Sequence, residues 1–383
     1  MAAVPPMTFG PGHISKVPKL AANLADGPVF IVSDAILEEL GVTQHLTSLL
    51  QAQNIPHALA ASVSGEPKFA LIDSLCAQAR EADAAVVVAI GGGAAMDAGK
   101  LVAAIARSGQ PAETFALATR PLPTNGIPAI AVPTTAGTGS EVTRTSVIST
   151  ADGSKSWFWG EELMFSQAVL DPELTVSLPP HITAWTGIDA IAHALEGATS
   201  RTTSPAGQLY GLEALNILAQ HLPRAIEDGQ DVETRARVLW ASLVAGLALH
   251  NCNTHMGHNI SHALGSLARV HHGLATGLAL EASLPVLTMR PEGAENYARA
   301  SVALGGASQP QALPGALSKL MRACGVAHEL PAECANIAPE TLANEMKKPA
   351  NIGMSQNAAC PLSDGDLDDL AKRMLQIPLA GAA

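Results

Sequence analysis

Three short apolar runs in the first half of the chain, residues 29–32, 84–90 and 127–132, constrain the fold more than any other feature. Each is bounded by Gly, Pro or Asp, and together they suit strands buried on both faces of a parallel sheet. Helix-like stretches over 69–82 and 95–108 lie between them, so the order predicts an α/β domain. From about Pro179 helical periodicity takes over, with Ala- and Leu-rich segments at 181–200, 204–222, 232–264 and 273–287. Pro179-Pro180 cannot sit inside a helix or a central strand. It marks the expected boundary between an α/β domain over 1–179 and an all-helical domain over 180–383.

Two domains are also what a chain of 383 residues favours, because a single core stops growing below that size. Hydrophobic residues make up 48% and charged ones 15%, a ratio that argues for extensive buried surface, part of it at a subunit interface, and against disorder. A formal charge of -12 without any Lys/Arg cluster disfavours nucleic acid as a partner. The first ten residues read as neither signal peptide nor anchor, and no stretch approaches membrane-spanning length. The five cysteines form no disulfide framework or C-x-x-C pair, which points to a reducing cytoplasm.

After the run 84–90 comes Gly91-Gly92-Gly93-Ala94-Ala95-Met96-Asp97-Ala98-Gly99-Lys100, a glycine-rich turn opening a helix. Glycines let backbone approach a pyrophosphate, and the free N–H groups of the helix start add donors and a positive dipole end. The spacing is not G-x-G-x-x-G, and a tight turn without a ligand would read the same way. A second small-residue turn, Pro133-Thr134-Thr135-Ala136-Gly137-Thr138-Gly139-Ser140-Glu141, follows the next apolar run. Two such turns at strand ends predict one ligand crevice at the carboxyl edge of the sheet. The first run ends in Ser33-Asp34, where an acidic residue can accept from the adenosine ribose and repel a 2′-phosphate, favouring NAD over NADP. Alternatively, Asp34 is the N-cap of a helix over 35–40.

Six of the thirteen histidines, His250, His255, His258, His262, His271 and His272, fall within one short segment. His258 and His262 share a helix face by i, i+4 spacing, and Gly265 with the segment Ala268 to His271 is expected to break that helix before His272. Asp189 and His193 share a face of another helix by the same rule. Asp189, His193 and two later histidines would offer three nitrogens and one oxygen, suiting Fe(II) or Zn(II) with an open position. Glu196 is either a group supporting the ligands or a solvated side chain. Singly, each histidine is more readily a packing or capping residue, so the pairs carry the argument.

Taken together, these motifs resemble the iron-containing alcohol dehydrogenase family, the group of lactaldehyde reductase and 1,3-propanediol dehydrogenase. The similarity runs from Phe9-Gly10-Pro11-Gly12 through both small-residue turns, Asp171-Pro172, Leu178-Pro179-Pro180, residues 187–196 and residues 258–273. The resemblance implies an amino-terminal Rossmann-like dinucleotide-binding domain and a carboxyl-terminal helical metal-binding domain, with the active site in the cleft between them. It implies metal ligands Asp189, His193, His258 and His272, with His262 beside the nicotinamide and not a ligand. It implies pyrophosphate contacts at Gly92, Gly93 and Ala94, further cofactor contacts at Asp97, Thr134, Thr135, Thr138 and Leu178, and ribose contacts at Asp34 and Lys155. Departures from the family pattern are Val63-Ser64-Gly65-Glu66-Pro67, Ala94 where Ser is frequent, and residues 157–167 around Trp157-Phe158-Trp159. They leave the chemistry intact and bear on which alcohol is accepted.

The expected activity is hydride transfer between a small primary alcohol or aldehyde and NAD(H), with Fe(2+), or alternatively Zn(2+), in a homodimer or higher homo-oligomer. A divalent cation lowers the pKa of a coordinated alcohol and polarises a carbonyl in the reverse direction, so no nucleophile is needed. His262 would relay the proton. Three rivals stand beside this reading: a metal-independent reductase of the maleylacetate reductase kind, a non-redox NAD- and metal-dependent lyase of the dehydroquinate synthase kind, and a catalytically silent nucleotide-binding protein. The ligand set disfavours the first, residues 133–143 the second, and the ligand set together with the glycine turn the third.

Overall fold

The computed structural model describes residues 3–381, which form two compact units. One comprises Ala3–Thr135 and Ser140–Ser177; the other comprises Ala136–Gly139 and residues 178–381.

The first unit is an α/β structure. Its strands are β1 (Met7–Phe9), β2 (Val29–Asp34), β3 (His57–Val63), β4 (Val86–Gly91), β5 (Ala129–Pro133), β6 (Thr145–Ser149), β7 (Lys155–Trp159) and β8 (Gln167–Leu170). Six of them make a wholly parallel sheet in the order β1-β8-β5-β4-β2-β3, while β6 and β7 pair as a separate antiparallel ribbon. The helices are α1 (Val17–Leu24), α2 (Ile36–Glu39), α3 (Val42–Ala52), α4 (Phe69–Glu81) and α5 (Gly93–Ile105). Every residue of β4 and β5 is buried, as an unbroken apolar run between helical layers requires.

Strand order explains where a ligand can enter. The chain leaves β2 to pair β3 on one side, then crosses back to lay β4 on the other side of β2 and continues outward to β5. The connections after β2 and β4 therefore diverge, which opens a crevice at the carboxyl ends of those two strands. Helix α5 packs tightly on the sheet there: a Cβ built on Gly99 would lie 2.4 Å from the Cβ of Ala89.

The second unit is helical: α6 (Pro180–Thr199), α7 (Pro205–Glu227), α8 (Val232–Cys252), α9 (Met256–Leu267), α10 (His272–Leu287), α11 (Ala294–Ala303), α12 (Leu313–Ala323), α13 (Pro339–Met346), α14 (Ile352–Gln356) and α15 (Asp364–Leu375). Pro180 occupies the first turn of α6, where its missing N–H costs nothing. From Gly187 onward α6 is buried on every side, so it is the central helix of this unit. Glycines allow its neighbours to close in, since a Cβ on Gly211 of α7 would meet the Ala194 carbonyl at 2.4 Å and one on Gly197 would meet Ala248 of α8 at 2.8 Å.

The periodic stretch 232–264, read as one segment, is two helices. Asn253 takes a positive φ of 57° with an extended ψ of 173° at the end of α8, which stops the helix, and α9 restarts at Met256. The expected break after α9 is present, because α9 ends at Leu267 and His272 opens α10. Among the described residues no helix is long and apolar enough to cross a membrane.

Candidate functional site

In the first unit, Asp34 ends β2 and Gly91 ends the neighbouring β4. Gly91 has a φ of +148°, and a Cβ there would lie 2.4 Å from Asp34 Oδ2, so only glycine fits. Asp34 Oδ2 accepts the Gly92 N–H at 2.7 Å. Burial raises the Asp34 pKa, and this hydrogen bond only partly offsets it. The N-cap alternative for Asp34 is overturned: α2 starts after Ala35 with no side-chain cap, because the carboxylate turns across the sheet edge to Gly92 instead. Gly93 and Ala94 form the first turn of α5, whose leading N–H groups have no acceptor within the helix. Thr134 N–H donates to the Gly91 carbonyl at 2.9 Å, and the Thr135 side chain lies against Gly92, so the two small-residue turns sit side by side.

Asp97 is occupied with the protein itself. Its Oδ1 accepts from Ser140 Oγ at 2.8 Å and its Oδ2 from the Val147 N–H at 2.8 Å, tying α5 to the second turn and to β6. Lys100, one turn on, donates to Thr143 Oγ1 at 2.9 Å and to the Thr145 carbonyl at 2.7 Å. Burial pulls the Lys100 amine down to about 8 and pushes the Glu141 carboxyl up to about 7, against the attraction of each for the other. Lys100 and Glu141 stand inside the two motifs, yet sequence reasoning assigned them no part. The available signal was a charged residue placed where the pattern demands burial.

Lys155 begins β7 and pairs with Glu66, whose other oxygen accepts from Ser149 Oγ at 2.5 Å. Burial lowers the Lys155 amine to about 8. The unusual aromatic segment divides its roles: Phe158 is buried against Phe69, while Trp159 is exposed and stacks on the Arg144 guanidinium at 4.3 Å. Thr138 and Leu178 belong to the second unit, apart from the other residues expected to touch a cofactor.

The second unit holds the acid and histidine cluster. Asp189 and His193 project from adjacent turns of α6, His258 from the first turn of α9, and His272 is the first residue of α10. A Cβ on Gly273 would stand 2.0 Å from the Trp185 carbonyl and 3.3 Å from Asp189 Cβ, so glycine lets the start of α10 lie directly on α6. Asp189 Oδ1 is 3.4 Å from His272 Nε2 and 3.7 Å from His258 Nε2, and one ligand atom from each of these three residues lies within 4.8 Å of the others. Asp189 Oδ1 and His258 Nε2 are buried with no hydrogen-bond partner. Orphaned buried atoms of this kind are costly unless something binds them. The His272 side chain is 33% exposed against 4% for Asp189 and His258, so solvent reaches the cluster from its side.

His193 does not join that tight group of three. Its Nδ1 lies 3.3 Å from the Gly137 carbonyl and its ring stacks on His258 at 4.6 Å, which together fix the ring beside the cluster. His262 lies nearby on α9, its ring centroid 5.2 Å from that of His272, and it is likewise outside the group. Burial pushes the Asp189 carboxyl up, but the imidazoles of His193, His272 and His258 outweigh it and hold the group well below the ordinary carboxylate range.

Glu196, which the sequence left undecided, is wholly buried. Its carboxylate accepts from His258 Nδ1 at 2.6 Å, the Gly257 N–H at 2.6 Å and the His255 N–H at 2.9 Å. Burial raises its pKa, and the neighbouring histidines with these hydrogen bonds reverse that, bringing it to about 2.

Residues 5–172 match the family described as Iron-containing alcohol dehydrogenase, and residues 183–362 match Fe-containing alcohol dehydrogenase family, C-terminal. The chain is 34% identical over 285 residues to the probable alcohol dehydrogenase EutG of Escherichia coli (strain K12), covering 73% of this chain and 71% of that one. It is 35% identical over 279 residues to the 1-propanol dehydrogenase PduQ of Salmonella typhimurium, covering 72% and 71%. The sulfoacetaldehyde reductase of Bifidobacterium kashiwanohense, solved in complex with NAD+, superposes with a TM-score of 0.88 at 26% identity, covering 98% of both chains. With its parallel-sheet unit, its helical unit and matches along both, the chain belongs to the iron-containing alcohol dehydrogenase family and is an oxidoreductase.

Proposed function

We propose that the protein is an NAD-dependent, divalent-metal-dependent alcohol dehydrogenase that moves a hydride between a small primary alcohol or aldehyde and NAD(H). The observation that carries this reading is the pair of orphaned buried atoms, Asp189 Oδ1 and His258 Nε2, facing each other beside His272 Nε2. These donors fit a cation: they are nitrogen and oxygen without thiolate, as an iron(II) or catalytic zinc site requires. Asp189, His258 and His272 would hold it, with His193, stacked on His258 beside them, as the fourth ligand. Such a cation supplies Lewis acidity to the substrate oxygen, lowering the pKa of an alcohol or polarising a carbonyl.

The remaining roles fall to the chain's own side chains. Gly92, Gly93 and Ala94 receive the pyrophosphate at the start of α5, with Thr134 and Thr135 beside it; Thr138 and Leu178 are further cofactor contacts in this reading. Asp34 accepts from the adenosine ribose and repels a 2′-phosphate, which makes the cofactor NAD. Lys155, held by Glu66, reaches the ribose. Asp97 acts by bracing the two turns, since both of its oxygens are engaged within the protein. His262 carries the proton between substrate and solvent. A small primary alcohol is supported by the 1-propanol dehydrogenase among the relatives. The unpaired, buried cysteines support a reducing compartment such as the cytoplasm.

The test is elemental analysis of protein purified without oxygen, followed by an alcohol panel scored by NADH absorbance. His258→Ala and His272→Ala are expected to lose the metal and most activity while keeping their helical content. Full metal content and near-parental turnover in either variant would refute the assignment.

A further inference from the structure

We propose that Glu196 is the positioning residue of the metal centre: from α6 it caps the start of α9 and holds His258 in the one tautomer that can bind a cation. The inference rests on the reading of His258 as a ligand.

An ionised carboxylate only accepts hydrogen bonds, so all three of its partners must donate. Two of them, the N–H groups of His255 and Gly257, stand at the start of α9, where helix geometry leaves donors unsatisfied and favours a negative charge. The third is His258 Nδ1, at 2.6 Å. With the proton on Nδ1, the neutral ring carries its lone pair on Nε2, the atom 3.7 Å from Asp189 Oδ1. Glu196 therefore fixes both the helix bearing His258 and the nitrogen it offers.

His255 does not share this duty. Its Nδ1 accepts the Met256 N–H at 2.8 Å, so its 3.4 Å approach to Glu196 Oε1 sets two acceptors side by side. Its Nε2 lies 3.0 Å from Thr199 Oγ1, whose hydroxyl donates to the Leu195 carbonyl at 2.8 Å. Among the described residues His258 is thus the one side chain that donates to Glu196. The fit also depends on Gly257, where a Cβ would stand 2.9 Å from Glu196 Oε1 and 2.7 Å from Leu280 Cδ2.

A glutamine at 196 cannot reproduce this arrangement. With its oxygen toward His258, its NH2 faces the Gly257 N–H; turned over, its NH2 faces His258 Nδ1 and selects the tautomer whose Nε2 is protonated. The first orientation keeps the tautomer but sets two donors face to face at the start of the helix that bears His258; the second misdirects the ligand itself, although every ligand remains in the chain.

The experiment measures Zn2+ affinity of the full chain, stripped by chelation, in competition with a chromophoric chelator, together with the visible spectrum of the Co2+ form. Glu196→Gln is expected to weaken Zn2+ binding by about tenfold to a hundredfold and to alter the Co2+ spectrum. Gly257→Ala, which keeps the carboxylate but crowds it, should shift affinity in the same direction. Thr199→Val, which removes the hydroxyl's contacts to His255 and the Leu195 carbonyl but none of the bonds to Glu196, should stay within about threefold, inside the usual spread for an uninvolved site. Should Glu196→Gln lower the melting temperature of the stripped protein yet bind Zn2+ as the parent does, the residue is only a helix cap and the proposal is overturned. If Glu196→Gln does not fold, unchanged Zn2+ affinity and Co2+ spectrum in Gly257→Ala overturn it equally. Parental affinity in His258→Ala would instead remove the ligand reading beneath it, and the positioning role with it.

Discussion

Gly99 is the position where a single added methyl should act most sharply on the nucleotide turn. A Cβ there would lie 2.4 Å from Ala89 Cβ, whereas carbon atoms rest at about 3.5–4.0 Å, so α5 would have to retreat from β4 by over an ångström. Overpacking of this kind costs about 1–3 kcal/mol, and the intrinsic helix preference of alanine over glycine returns about 1 kcal/mol. Gly99→Ala is therefore expected to destabilise the first unit by up to about 2 kcal/mol, with a midpoint of about 1 kcal/mol. Ala89→Gly alone should cost about 1.5 kcal/mol, from a lost buried methyl and a strand glycine. The double variant moves the methyl from strand to helix within the same space. Its stability should fall within about 1 kcal/mol of the parent, a coupling of about 1.5 kcal/mol at the midpoint of these ranges. Urea titration read through hydrogen-exchange protection of α5 amides isolates this unit from the helical one. The retreat also carries the start of α5 with it, so NAD binding should weaken in Gly99→Ala and return in the double variant. Additive effects of the two substitutions would refute the close-packing argument.

Asp34→Gly should raise the ratio of NADP to NAD turnover by about tenfold or more, the equivalent of about 1.4 kcal/mol, and an unchanged ratio would leave Asp34 only its bond to Gly92. His262→Gln should retain metal by elemental analysis yet turn over roughly a hundredfold more slowly; loss of the metal would mean that the ligands are wrongly chosen. Glu141 titrates near 7 in the fold against an ordinary 4.5, so the folded state keeps its proton longer and stability falls as pH rises through that interval. The fall amounts to at most about 3 kcal/mol and should vanish in Glu141→Gln, whose urea midpoints between those pH values would otherwise track the parent's.

Much of the architecture was legible in the residues because burial on both faces leaves an unbroken apolar run. The runs at 29–32, 84–90 and 127–132 are all central strands of the sheet. The single periodic stretch 232–264 misled, because periodicity continues through Asn253 while the backbone does not. A one-residue change of backbone conformation leaves no mark on hydrophobic spacing.

Spacing along one helix determined that Asp189 and His193 share a face, and a glycine turn after an apolar run determined that backbone donors gather at the start of α5. These are local consequences of helix pitch and of chain conformation. Tertiary packing alone decided that His258 and His272, from two other helices, meet Asp189, because the approach of α10 to α6 depends on Gly273 finding the Trp185 carbonyl. It alone decided that Asp34 turns to Gly92 rather than capping its own helix, and that Glu196 is buried under His258 rather than solvated. A carboxylate carries no sequence mark of its partner; which N–H groups it meets is settled only when separate helices bury it together.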